Sequence, residues 1–164
     1  MIKQLTTAIA LGLAMPAMAQ EEVSPELEAA RLAWMNDQQA ALHTRTAANG
    51  WYTLEGGIKF RRIAGDGTGP APTVRDQITI HYTGSFTDGN VFDSSVQRGE
   101  PATFPLSGLV QGWQVAIPYM GVGDTVEIAI PAEMAYGLRG RGPIPGGATL
   151  MFTIELLAIP SQGV

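Results

Sequence analysis

Asp93 and Tyr136 are the residues whose type and surroundings best suit them to chemistry, and the same surroundings limit what that chemistry is. Asp93 lies in Asp88-Gly-Asn-Val-Phe-Asp-Ser-Ser95. Gly99-Glu-Pro-Ala-Thr-Phe-Pro-Leu106 and Val110-Gln-Gly-Trp113 follow it. Tyr136 lies in Ala135-Tyr-Gly137, ahead of Ile144-Pro145 and Ala148-Thr-Leu-Met-Phe152. With Tyr82, these stretches set many aromatic and aliphatic side chains against few ionisable ones. They hold no Cys, no set of metal ligands and no Ser/His/Asp arrangement. Such a site can bind and desolvate a neutral group but has little for nucleophilic or acid–base work. The pattern points to a reaction that breaks no bond between heavy atoms, or to binding alone.

Taken singly, each of these residues has a plainer role open to it. Val110, Trp113, Phe104 and Phe152 would sit in the core of any small domain. Asp93 between Phe92 and Ser94 would serve as an Asx-turn residue, and Tyr136-Gly137 as a simple turn. His81 fits the outer face of a strand and His43 a solvated helix face. Two histidines so far apart give weak support to a metal site. Asp124 in Val122-Gly-Asp124 reads as a hairpin turn. The glycines of Gly65-Asp-Gly-Thr-Gly-Pro-Ala-Pro72 lack the Lys and Ser/Thr of a phosphate-binding loop, and Pro70 and Pro72 break any helix there.

The joint order and spacing of the motifs, from Trp51 to Ile159, resemble the FKBP-type peptidyl-prolyl cis–trans isomerases, the macrolide-binding immunophilins. The bacterial macrophage-infectivity-potentiator-like branch is the nearest match. The resemblance implies a proline pocket lined by Tyr82, Phe92, Leu109, Val110, Trp113, Ile144 and Phe152, with the Trp113 indole at its floor. It implies catalytic roles for Asp93, which orients its neighbours and polarises the bound amide, and for Tyr136, whose phenol reaches a substrate carbonyl. The Val110 N–H would bind another carbonyl. No cofactor or metal is implied. The partners would be proline-containing unfolded or partly folded polypeptides, and macrolide inhibitors. Ala102 departs from the aromatic residue of eukaryotic members and implies a more open wall. Arg139-Gly-Arg-Gly142 and Gly146-Gly147 replace a loop that often carries Pro-Pro-Asn, which makes the rim more basic. The alternative to turnover is a chaperone or peptide-binding module using the same groove. A third reading is an envelope scaffold with its N-terminal helix as the contact.

Periodicity supplies the elements that would position these residues. Ser24-Pro25 is a helix start, with Ser as N-cap and Pro at the first helical position. Glu26 and Glu28 suit the first turn. The spacing predicts one helix from Pro25 to about Ala48, weakly apolar through Leu27, Ala30, Trp34 and Ala41, and stopped by Asn49-Gly50. A stripe this thin must dock on something, either its own domain or a second copy in a homodimer. Ile58–Ile63 and Gln77–Thr83 alternate as strands, with Ile78, Ile80 and Tyr82 on one face. Val126, Ile128 and Ile130 alternate likewise, as do Leu150, Phe152, Ile154 and Leu156. Val110, Trp113 and Ile117 recur at helical spacing. The sum is an α+β domain, an antiparallel sheet wrapped around one short helix, with an N-terminal helix besides.

Composition agrees with one exported domain. The chain has 164 residues, 45% hydrophobic and 15% charged, with net charge −5. That balance argues against nucleic acid as partner, and Arg61-Arg62, the only basic doublet, reads as a solvated strand face. Lys3, the apolar run Ala8–Met15 and Ala17-Met18-Ala19 form a secretory signal, too short to span a bilayer. Residues 1–19 are therefore expected to be removed, leaving a helical segment over 20–50 and the main domain over 51–160. The periplasm is the expected destination. The chain has no Cys, so neither disulfides nor thiolate catalysis enters.

Overall fold

The computed structural model describes residues 24–164, and the expected signal peptide lies outside them. Helix α1 runs Pro25–His43. The Ser24 hydroxyl accepts the Leu27 N–H at 3.3 Å, and Pro25 opens the first turn. The helix is shorter than the spacing predicts, because Thr and Asn side chains compete for its backbone. The Thr44 hydroxyl donates to the Ala40 carbonyl at 2.7 Å. The Asn49 side chain accepts the Thr46 N–H and donates to the Thr44 carbonyl, each at 2.8 Å, closing a separate 3₁₀ turn over Ala47–Asn49. Gly50 (φ 83°) ends that turn and not α1. Within the anticipated stripe, Leu27 and Ala30 are exposed; Trp34 and Ala41 are half-buried, with the buried Gln38 between them.

The strands are β1 (Tyr52–Thr53), β2 (Lys59–Ala64), β3 (Gln77–Ser85), β4 (Val91–Ser94), β5 (Ala102–Pro105), β6 (Thr125–Ile130) and β7 (Leu150–Ala158). They form one antiparallel sheet in the order β1-β2-β6-β7-β3-β4, with β5 also paired to β3. Ile78, Ile80 and Tyr82 of β3 are buried, as the alternation predicts. So are Val126, Ile128 and Ile130 of β6 and Leu150, Phe152, Ile154 and Leu156 of β7. A single apolar cluster joins them to helix α3 (Gln111–Ala116) and to the 3₁₀ turn Ile117–Tyr119 that continues it through Pro118. Gly112 lets α3 approach the sheet closely: a Cβ there would lie 2.4 Å from Ile130 Cγ2.

Three polar residues do more than their sequence context suggests. Arg61 is bound to Glu127 on β6 (Nε to Oε2 2.9 Å) and stacks on the buried Trp51, its guanidinium 4.7 Å from the ring centroid. Arg62 pairs with Asp124 at 3.0 Å and donates to the Tyr119 carbonyl. Arg61-Arg62 is thus a pair of cross-links and not a solvated face. Asp124 is buried and joins no neighbouring strands. It accepts N–H bonds from Gly67 (3.1 Å) and Gly121 (2.8 Å), fastening the loop after β2 beside the turn before β6. A buried carboxylate needs such partners, so the anticipated hairpin is replaced by an anchor. His81 lies opposite the core face as expected, half-buried, with Nδ1 3.1 Å from the Ser95 hydroxyl.

Candidate active site

Asp93 pairs across the ladder with Gly84 of β3. Ser94, next in the chain, caps helix α2 (Ser95–Arg98) by accepting the Gln97 N–H at 3.2 Å. That single turn folds Arg98 back over the strand it has just left. The Tyr82 phenol donates to Asp93 Oδ2 at 2.5 Å; Arg98 donates to Asp93 Oδ1 and, at 3.1 Å, to the Tyr82 oxygen. Burial pushes the Asp93 carboxyl up, but the bonds from Tyr82 and Arg98 outweigh it and hold it below the ordinary carboxylate value. Burial, then the bond to Asp93, pushes the Tyr82 phenol above its ordinary value. At neutral pH the cluster is a carboxylate, a neutral phenol and a guanidinium.

Beside it lies a cleft of about 180 Å³ lined by Tyr82, Phe92, Asp93, Phe104, Leu109, Val110, Trp113, Tyr136 and Phe152. The Trp113 ring meets Tyr82 and Phe152 edge-on, at centroid distances of 5.4 and 5.1 Å. Phe92 meets Phe152 at 5.7 Å and 90°. Such edge-to-face packing fixes ring planes. Gly84 makes room for it, since a Cβ there would lie 2.7 Å from both Phe92 and Phe152. The Trp113 Nε1 is buried with no hydrogen-bond partner among the described residues.

Two further donors border the cleft. Val110 is the N-cap of α3; its carbonyl accepts from Trp113 and Gln114, and its own N–H has no acceptor among the described residues. Helix starts leave such amides free. Tyr136 is half-buried in a turn held by Gly137 N–H to the Ala132 carbonyl (2.7 Å) and Gly140 N–H to the Tyr136 carbonyl (3.1 Å). Eight of the nine anticipated site residues therefore line one space. The ninth, Ile144, does not. It sits in the core cluster, its backbone paired with Arg141. Phe104 takes a place on the wall, while Ala102 faces Ile80 in the ladder and does not line the cleft. The lining carries no hydroxyl other than phenols, no thiol and no imidazole. It can desolvate a small apolar ring and offer donors to nearby carbonyls.

Residues 69–157 match the FKBP-type peptidyl-prolyl cis-trans isomerase family. The FKBP-type 22 kDa peptidyl-prolyl cis-trans isomerase of Escherichia coli is 46% identical over 119 residues, 72% of this chain and 57% of that protein. The peptidyl-prolyl cis-trans isomerase Mip of Coxiella burnetii is 40% identical over 111 residues, 67% of this chain and 48% of that protein. In structure, a peptidyl-prolyl cis-trans isomerase from Pseudomonas syringae superposes with a TM-score of 0.70 at 31% identity, covering 78% of this chain and 94% of that one. The chain belongs to the FKBP-type peptidyl-prolyl cis-trans isomerase family, in its bacterial Mip-like branch. It spans about half the length of these curated relatives.

Proposed function

We propose that this protein isomerises prolyl peptide bonds in exported polypeptides as they fold. The observation that carries the reading is an aromatic cleft bordered by the Tyr136 phenol, by the Val110 N–H, which has no acceptor among the described residues, and by a carboxylate held ionised. Rotation about the bond before proline is opposed by amide resonance, a barrier of about 18–20 kcal/mol. The planar amide has the larger charge separation, and water stabilises it more than the twisted form. Seating proline against Trp113, Phe92 and Phe152 removes that water, so the barrier falls. The Val110 N–H and Tyr136 phenol fix the flanking carbonyls, and Asp93 holds Tyr82 in the wall and faces the amide as it twists. Each 1.4 kcal/mol gained is about tenfold in rate.

Exchange between cis and trans in a short X-Pro peptide, followed by NMR, tests this. Acceleration by the protein is expected, reduced at least about tenfold in Trp113→Ala, whose pocket has lost its floor. Asp93→Ala and Tyr136→Phe should each slow turnover while the fold persists. A folded protein with no acceleration makes the cleft a peptide-holding surface and moves the reading to a chaperone. A macrolide that fits the cleft should compete with the peptide.

Export rests on the signal read at residues 1–19; protein recovered from the periplasm should have the mass of a chain starting at Gln20. Leu27, Leu32 and Met35 are exposed on α1 and support a homodimer through that helix. Sedimentation as a monomer at micromolar concentration counts against it.

A further inference from the structure

Gln38 is the buried residue of α1, 7% exposed, and both ends of its amide are engaged. Its Oε1 accepts the Thr149 N–H at 2.9 Å, and its Nε2 donates to the Thr87 hydroxyl at 3.1 Å. Its backbone carbonyl accepts the Thr149 hydroxyl, also at 3.1 Å. The Thr149 N–H needs an oxygen, so only one orientation of the amide serves. A buried amide without partners is costly, so these bonds are expected to persist.

The two threonines belong to different loops; one loop carries Tyr136 of the cleft lining, and the other touches the lining through Phe86. Thr149 closes the segment that begins at Tyr136. Thr87 lies in the β3–β4 turn next to Phe86, whose ring packs on the cleft residue Phe92 at 5.0 Å. One turn earlier in α1, Trp34 rests near Gly147, where a Cβ would come within 3.4 Å of the indole. Between Tyr136 and Thr149 the loop's own backbone bonds are few. They are Gly140 N–H to Tyr136, Gly147 N–H to Gly137, and the Arg141–Ile144 pair. Beyond Ile144 and Ala148, which are buried in the core cluster, a loop so sparsely bonded takes its position from what it is tied to.

We infer that Gln38 is a positioning residue that ties the Tyr136 loop and the Phe86 turn to α1, so that the N-terminal helix sets the rim of the cleft. Its consequence for substrate rests on the isomerase reading above, whereas the mechanical tie does not. Any effect on the peptide passes through the placement of Tyr136 and Phe92, since Gln38 does not line the cleft.

The test compares Gln38→Ala and Thr87→Val with Glu28→Ala on the exposed part of the same helix. Native-state amide exchange reads the tie. The dissociation constant of an X-Pro peptide, followed at the Trp113 indole N–H resonance, reads the cleft independently of turnover. In Gln38→Ala the Gly140 and Gly147 amides should exchange at least about tenfold faster, with the β6–β7 amides unchanged, and the peptide should bind about three- to tenfold more weakly. Thr87→Val keeps both bonds between Gln38 and Thr149 and removes the hydroxyl that accepts from Gln38 Nε2. It should free the Gly89 amide of the β3–β4 turn while Gly147 stays protected, and this arm decides the matter if the alanine variant does not fold. Glu28→Ala should change neither readout. Unchanged exchange in both loops overturns the tie, and faster exchange with unchanged peptide affinity overturns its role at the cleft. A wild-type protein that binds the peptide without turning it over ends the isomerase reading and leaves this one to be judged on exchange and affinity.

Discussion

Asp93 keeps its charge, and its partners decide that. Burial alone would favour the neutral acid; the Tyr82 phenol and Arg98 reverse this and hold the carboxyl below its ordinary value. The Tyr82 phenol is held above its own. Neither group therefore titrates between about pH 5 and pH 9. The rate of X-Pro isomerisation is expected to be flat over that range. Asp93→Asn, which keeps the shape and loses the charge, should lower the rate about tenfold at every pH in it, since a bond to a charged group exceeds a neutral one. An inflection in the wild-type profile that vanishes in Asp93→Asn would contradict the assignment. Residues of this kind are readable in the sequence only together: singly, Trp113, Tyr136 and the Phe92-Asp93 pair each have plainer roles, and it is their joint order that points to an aromatic wall with a carboxylate in it. Arg98 was not readable, because it reaches Asp93 only through the turn that Ser94 caps, and nothing in its own neighbourhood marks it. Phe104 carries no distinguishing signal, since the alternation in Ala102-Thr-Phe-Pro105 suits a core face equally. Ile144 stands in the core cluster and not in the cleft lining, at a position set by the path of a glycine-rich loop that no periodicity describes.

At the scale of elements, α3 shows propensity yielding to packing. Alanine is the better helix former, so propensity alone favours Gly112→Ala in the first turn of α3. In the protein its new methyl would meet Ile130 at 2.4 Å, and overpacking of a core costs about 1–3 kcal/mol. Gly112→Ala is therefore expected to lower the urea midpoint at unchanged m-value, and to weaken peptide binding as Val110 and Trp113 shift with the helix. A midpoint equal to or above wild type would show that α3 moves freely on the sheet. The existence of α3, β3, β6 and β7 follows from periods of 3.6 and 2 in their apolar residues, which is why their sequence reading and structure agree closely. The end of α1 did not follow from period, because Thr44, Thr46 and Asn49 stop the helix with side-chain bonds before its apolar spacing runs out. Strand partners were less legible still. Phe60 of β2 faces Ile128 of β6, and such a pairing is set by the whole sheet and not by either segment.

Over the whole molecule, the way the chain end is fastened predicts how stability responds to acid. Asp76, just before β3, accepts from the Ser161 hydroxyl at 2.7 Å, from the Thr73 N–H and hydroxyl at 2.8 Å each, and from Gln162 at 3.0 Å. The Ser161 hydroxyl in turn accepts the Gln77 N–H at 3.1 Å, so one carboxylate ties the C-terminal turn to the start of the central strand. These bonds, that from Ser161 foremost, hold the carboxyl far below its ordinary value. Asp66 is lowered by its bonds from Thr68, and Asp93 as described. A carboxyl depressed in the folded state stabilises it above the unfolded value, near pH 4, and that contribution is lost as pH falls through the folded value. All three groups act with the same sign, so the melting temperature should fall steeply below about pH 4 and little between pH 5 and 7. Asp76→Asn loses the charged acceptor at every pH. It should melt below wild type at pH 7, and the gap should close as acid protonates the wild-type carboxyl. Calorimetry of both proteins from pH 7 to pH 2 decides the point. A gap that stays constant into strong acid would mean that Asp76 holds the chain end through shape alone, and that the charge drawn to it by four donors is incidental to stability.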